Sequence, residues 1–215
     1  MISADADSIK FLQPKRKNIM KQYVVKRVLS PDWSSIPSVT LQHTQWLSPC
    51  PISASAQLCH DGKNLYVRME AVEEHIRAQL TDPLDQVCED SCLEFFFAPR
   101  EDDLRYFNFE FNPLGSYYIG FGLEPANRCR QFPLNPEPFT IKPYRTENGW
   151  GITYTVPGDF IRLYVPEFDF TGFSACNFYK CGEFTEVPHY LSWAPMSSQV
   201  PQFHCRRDFA RLIFE

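Results

Sequence analysis

Two glutamates and a run of polar residues set among aromatic rings are the residues of this chain best suited to chemistry. Glu94 sits in Cys92-Leu93-Glu94-Phe95-Phe96-Phe97, and Glu110 in Tyr106-Phe107-Asn108-Phe109-Glu110-Phe111-Asn112. A carboxylate among such apolar neighbours must be hydrogen-bonded, paired or turned toward a cleft. Near the C-terminal end stand Asn177-Phe178-Tyr179-Lys180-Cys181-Gly182-Glu183, then Pro188-His189-Tyr190-Leu191-Ser192-Trp193 and Pro201-Gln202-Phe203-His204. Ring faces beside fixed hydrogen-bonding groups suit a sugar or other polyol. Its C–H faces pack on the rings while its hydroxyls meet Glu, Asn, Lys and His.

Those residues must be positioned by strands. The 19 Phe and 10 Tyr favour pleated structure. The 18 Pro break the chain into short segments, because each removes a backbone donor. Strand-like runs recur over 23–28, 54–60, 65–72, 92–98, 104–112, 116–121, 139–144, 150–156, 173–181 and 209–214. Asp61-Gly62-Lys63-Asn64 reads as a hairpin turn between two of them. Only 73–80 and 158–164 read as helical. Roughly ten short strands with one or two short helices predict an all-β, antiparallel β-sandwich. Residues 1–20 read as a loose lead-in and 21–215 as one domain.

Period two sorts the strand faces. Leu93, Phe95, Phe97, Phe107, Phe109 and Phe111 belong to the core. Cys92, Glu94 and Phe96 share the other face, as do Tyr106, Asn108, Glu110 and Asn112. That polar face is either solvated, with Glu94 paired to Arg68 or Arg105, or it lines a concave, ligand-holding sheet. Glu94 and Glu110 on neighbouring strands would also supply the carboxyl pair that glycoside hydrolysis needs.

Charge and targeting signals narrow the field. A net charge of -5 leaves no footprint for tracking phosphates, so nucleic acid is excluded as a partner. No apolar run has the length to span a bilayer. The N-terminal residues lack the basic and apolar regions of a secretory signal, which reads as cytoplasmic, with the eight cysteines reduced. Cys181, His189, His204 and Cys205 match no compact zinc-ligand spacing. Glu101-Asp102-Asp103 is the densest acidic run.

Taken together, Asp90-Ser91-Cys92-Leu93-Glu94-Phe95-Phe96-Phe97, the 106–115 segment, Asn177 to Glu183, Pro188 to Trp193 and Pro201 to Phe214 resemble the bacterial family 9 carbohydrate-binding-module-like proteins. The resemblance runs from about Trp33 to the end. It implies a β-sandwich of the broader DOMON-like kind and non-catalytic saccharide binding linked to carbohydrate catabolism, with structural calcium a frequent companion. Family members clamp a terminal sugar between two tryptophans. Glu94 falls on their sugar-contacting glutamate, and Asn177 lies close to a polar position of the penultimate strand. Gln86 to Glu89 stand where the first tryptophan is expected, Phe203 replaces the second, and Phe107 replaces a strand arginine. The resemblance thus implies hydroxyl contacts for Glu94 and Asn177; the polar faces and aromatic setting add Asn108, Glu110, Lys180, His189 and His204 as ligand contacts, with Trp193, Tyr179 and Phe203 as stacking surface. Related DOMON-like domains hold haem with Met and His, for which Met69, Met196, His189 and His204 are available.

Overall fold

The computed structural model describes residues 21–123, 128–130 and 136–215. The lead-in over 1–20 lies outside them. The described strands are β1 (Gln22–Arg27), β2 (Val39–Thr40), β3 (His43–Thr44), β4 (Ser53–His60), β5 (Asn64–Val72), β6 (Cys92–Ala98) and β7 (Tyr106–Phe111). They continue as β8 (Tyr117–Gly122), β9 (Arg128–Arg130), β10 (Lys142–Thr146), β11 (Gly149–Pro157), β12 (Gly172–Gly182), β13 (His189–Ser192) and β14 (Ala210–Phe214). A single described α-helix, α1 (Gly158–Arg162), follows β11.

The strands form one curled sheet in the order β10-β11-β5-β4-β1-β14-β12-β6-β7-β8-β9. It doubles over on itself into two layers, so the predicted sandwich is present. The sheet is mixed rather than purely antiparallel. β1 runs parallel to β14 through Gln22–Val25 and parallel to β4 through Lys26–Arg27, and so stitches the two layers together. A parallel pair needs a long crossover, which the whole intervening chain supplies.

Between the layers lies the phenylalanine core expected from the alternation. Phe95 stacks on Phe97, Phe109 and Phe178 at centroid distances of 5.6, 6.1 and 5.1 Å. From the facing layer, Tyr154 meets Phe111 at 4.3 Å. The Tyr154 hydroxyl is buried with no hydrogen-bond partner. An unsatisfied buried donor costs about 1–3 kcal/mol, so Tyr154→Phe is expected to stabilise the protein by about 1 kcal/mol. The urea midpoint of the variant checks this; a lowered midpoint refutes it.

The Asp61–Asn64 turn forms as predicted. Asp61 Oδ1 accepts the backbone N–H groups of Lys63 and Asn64, both at 2.7 Å, and Gly62 adopts φ +88°. The 158–164 helix appears as α1, but 73–80 is not helical. Its backbone donors go to side chains instead. Asp90 Oδ2 accepts from the N–H groups of Gln79 and Leu80 at 2.8 and 2.9 Å, and Ser91 Oγ accepts from Arg77 N–H at 3.0 Å. A segment whose donors are taken up this way cannot also close i→i−4 turns. No described helix is long and apolar enough to cross a membrane.

Candidate functional site

Strands β6 and β7 are buried on both faces, which the alternating pattern alone does not predict. The face away from the core carries a second apolar cluster, built on Phe96, Tyr106, Tyr179, Phe203 and Phe209. Two segments cover it: the turn at 87–89 and the long loop from Trp193 to Phe209.

Asn177 anchors the start of that loop. Its Oδ1 accepts from the N–H groups of Phe178 and Ala194, both at 2.9 Å, and its Nδ2 donates to Ala194 O at 3.2 Å. Further along, the Tyr179 hydroxyl donates to Phe203 O at 3.2 Å, and the Tyr106 hydroxyl lies 2.8 Å from His204 Nδ1. Arg206 donates to the carbonyls of Glu101 and Asp103 at 2.8 and 3.2 Å. Asp102 and Asp103 pair with Arg100 and Arg105, and Glu101 with Arg211, so the acidic run is fully engaged with arginines.

Between loop and sheet a cleft of 250 Å³ remains, lined by Trp46, Glu94, Glu110, Tyr190, Phe203 and His204 among others. An adjoining hollow of 160 Å³ shares Cys88, Glu110 and His204 and adds Asn108, Tyr118 and Arg130. Larger hollows lie elsewhere, one around Glu74, His75 and Arg145 and another around residues 99–102. Neither sets ring faces beside a pair of buried carboxyls.

The carboxyls define the chemistry of the cleft. Glu94 and Glu110 stand directly opposite each other in the β6–β7 register. Glu94 is 3 % exposed and Glu110 7 %. Arg68 pairs with Glu70 and Arg105 with Asp103, so neither arginine neutralises Glu94. Burial, with the Glu110 charge second, holds the Glu94 carboxyl well above the ordinary range. Glu94 Oε1 accepts from the Cys181 thiol at 2.9 Å, and Glu110 Oε1 accepts from Asn108 Nδ2 at 2.5 Å. At the rim, burial and then Glu89 raise the Glu183 carboxyl.

The wall is aromatic. Phe203 lies flat on Tyr179 at 4.1 Å, which leaves Tyr179 beneath it and fully buried. Trp46 meets Tyr190 at 5.3 Å and Phe203 at 5.4 Å, and its indole N–H donates to Ser198 O at 2.9 Å. Trp46 adopts φ +57°, a region costing a bulky residue on the order of 1–3 kcal/mol. Strain of that kind persists where surrounding contacts over-determine it, and it often marks a site.

The structure therefore brings Glu94, Glu110, Phe203 and His204 to one cleft, with Asn108 in the hollow that adjoins it. Asn177 and Tyr179 lie behind its wall, as bracket and support. Trp193 belongs to the main core, edge-on to Tyr23 at 6.5 Å and tilted against Phe178 at 5.6 Å. Lys180 and His189 project to the opposite face. Lys180 Nζ lies 3.2 Å from Glu73 Oε2 and 2.6 Å from His189 Nε2, and it donates to Cys181 O at 2.8 Å. Glu73 also accepts from Ser91 Oγ at 2.8 Å and Trp150 Nε1 at 3.0 Å.

The four residues weighed as a zinc set are dispersed. Cys181 is at the cleft floor, His189 in the lysine network, His204 against Tyr106, and the Cys205 thiol on Gln202 O. Met69 is a core residue of the facing layer. The sequence assigns no ligand contact to Trp46, Tyr190 or Glu183. A tryptophan in a segment without strand periodicity was the available signal for the first of them.

A model described as carbohydrate-binding family 9 matches residues 24–214. Among solved structures, a candidate carbohydrate-binding protein from Bacteroides uniformis is 26 % identical, with a TM-score of 0.77 over 91 % of this chain and 100 % of that one. A family 9 carbohydrate-binding module from Caldicellulosiruptor kristjanssonii in complex with glucose is 12 % identical, TM-score 0.65, over 91 % and 96 % of the two chains. The module with cellotriose is 11 % identical, TM-score 0.64, over 90 % and 93 %. At such identities the last two show a common fold. No curated protein matches the chain.

Proposed function

The chain belongs to carbohydrate-binding family 9, and from that membership we propose that it binds a saccharide, without turnover, in the cleft between the sheet and the 193–209 loop. The observation that carries the reading is the placing of Trp46, Tyr190 and Phe203 beside the Glu94–Glu110 pair. Rings take the C–H face of a sugar, and buried carboxyl oxygens exchange hydrogen bonds with its hydroxyls at a site of low water content. Glu110, Asn108 and His204 are the polar contacts of this reading, with Phe203 and Trp46 as stacking surface. The glucose- and cellotriose-bound modules of like fold support the choice of first ligands. A cytoplasmic setting and a part in bacterial carbohydrate catabolism belong to the same proposal. The fully buried thiols of Cys59 and Cys176, held protonated by burial, suit a reducing compartment.

Calorimetric titration with glucose and cellotriose tests it. Saturable heat is expected from the native protein. Trp46→Ala is expected to lose about 2 kcal/mol, about thirtyfold in Kd, as a truncated aromatic anchor does. Absence of heat with any saccharide, or an affinity indifferent to both Trp46→Ala and Glu110→Gln, refutes the cleft. Release of shorter sugars from an oligosaccharide, abolished in Glu94→Gln, would replace binding by hydrolysis.

A further inference from the structure

Beneath the cleft, the sheet register sets three metal-ligating groups side by side. Cys92 lies directly opposite Cys181 in the β6–β12 pair, and Glu94 is two residues further along the same face of β6. Cys181 Sγ is 2.9 Å from Glu94 Oε1, and the ligating atoms of Cys92, Glu94 and Cys181 all lie within 4.8 Å of one another. All three residues are buried. Among the described residues no other group of three or more His, Cys, Asp or Glu side chains is so arranged.

We propose that Cys92, Cys181 and Glu94 bind one thiophilic divalent cation of the zinc class, with its fourth coordination position opening into the cleft. Zinc takes thiolate sulfur at about 2.3 Å and carboxylate oxygen at about 2.0 Å in tetrahedral array, which sets ligand atoms roughly 3.5 Å apart. The ligating atoms of the three groups, within 4.8 Å of one another, bracket that spacing. Two sulfurs out of three ligands select against calcium and magnesium, which take oxygen. The ligands stand on two neighbouring interior strands, β6 and β12, so the site is preorganised by backbone pairing rather than by a loop. Glu94 and Cys181 both line the cleft, which gives the ion a way in and leaves one coordination position facing it. The inference needs no sugar: it shares Glu94 and the cleft with the saccharide reading but does not rest on it.

Cobalt(II), as a spectroscopic stand-in for zinc, tests it on the reduced full chain. One equivalent is expected to produce thiolate-to-cobalt charge transfer and the visible bands of a tetrahedral ion, displaced by zinc and untouched by calcium. The double variant Cys92→Ser/Cys181→Ser is expected to lose the charge-transfer band, whereas Cys59→Ser/Cys176→Ser, which removes two buried thiols elsewhere, keeps it. A second measurement needs no variant: zinc is expected to slow alkylation of Cys92 and Cys181 at least tenfold, as judged by mass spectrometry, and to leave the exposed Cys129 unchanged. No band with the native protein, an undiminished band in the first double variant, or no protection by zinc overturns the site.

Discussion

Lys180→Met is expected to destabilise the protein by about 3–5 kcal/mol and to leave the saccharide affinity of the folded protein unchanged. The side chains of Lys180 and Glu73 are 0 % and 1 % exposed, and Lys180 reaches Glu73, His189 and the Cys181 carbonyl at once. Methionine fills much of the volume but leaves the Glu73 carboxylate buried without its cation. Removing one member of such a pair costs far more than the pair itself contributes, because the remaining charge is stranded in a medium of low dielectric. Adding Glu73→Gln is expected to recover part of the loss. Guanidinium unfolding of the three forms measures the effect. A loss below 1 kcal/mol would mean that water reaches the pair, and a parallel loss of sugar affinity would move Lys180 into the binding site.

The same network is expected to make the fold acid-sensitive. Burial, and then the neighbouring Lys180 charge, lower His189 from 6.5 to about 4. Its geometry agrees: Nε2 accepts from Lys180, so Nδ1 carries the proton that it donates to Val187 O at 2.7 Å. The unfolded chain takes up a proton near pH 6.5 and the folded one does so only near pH 4. Stability from this residue is therefore complete above pH 6.5 and drains away as pH falls toward 4, by about 3 kcal/mol in total. Glu94 has the opposite sign. Its raised carboxyl favours the fold most below its ordinary value of 4.5, and that contribution is lost as pH rises through the folded value. The difference between native and His189→Gln urea midpoints across pH 7 to 4 isolates the histidine. A difference that does not change with pH would show that His189 titrates alike in the folded and unfolded chains.

Much of this protein is written locally. Alternation of Phe95, Phe97, Phe107, Phe109 and Phe111 with polar partners marks the strands and their core face, and Asp61–Gly62 marks a hairpin, because both signals depend only on near neighbours. Period two also separates Lys180, on the face of Cys176 and Phe178, from Tyr179 and Cys181. Lys180 and Tyr179 therefore cannot both contact a ligand on one face, and Lys180 pairs with Glu73 instead. The helical reading of 73–80 missed because its backbone donors are claimed by Asp90 and Ser91, ten or more residues downstream.

The site itself required the tertiary structure. Trp46 comes to the cleft because Thr44 pairs with Leu191 across β3 and β13, and Cys92 meets Cys181 because β6 and β12 are neighbours. Asn177 is on the right face yet is covered by the loop that it pins, while Trp193 turns into the core. By itself the sequence determined which side chains share a face, since that follows from backbone geometry along one strand. Which strands lie together, and which face a distant loop covers, was decided only by the tertiary structure. Those choices rest on the summed burial and pairing of segments far apart in the chain, a quantity no local pattern contains.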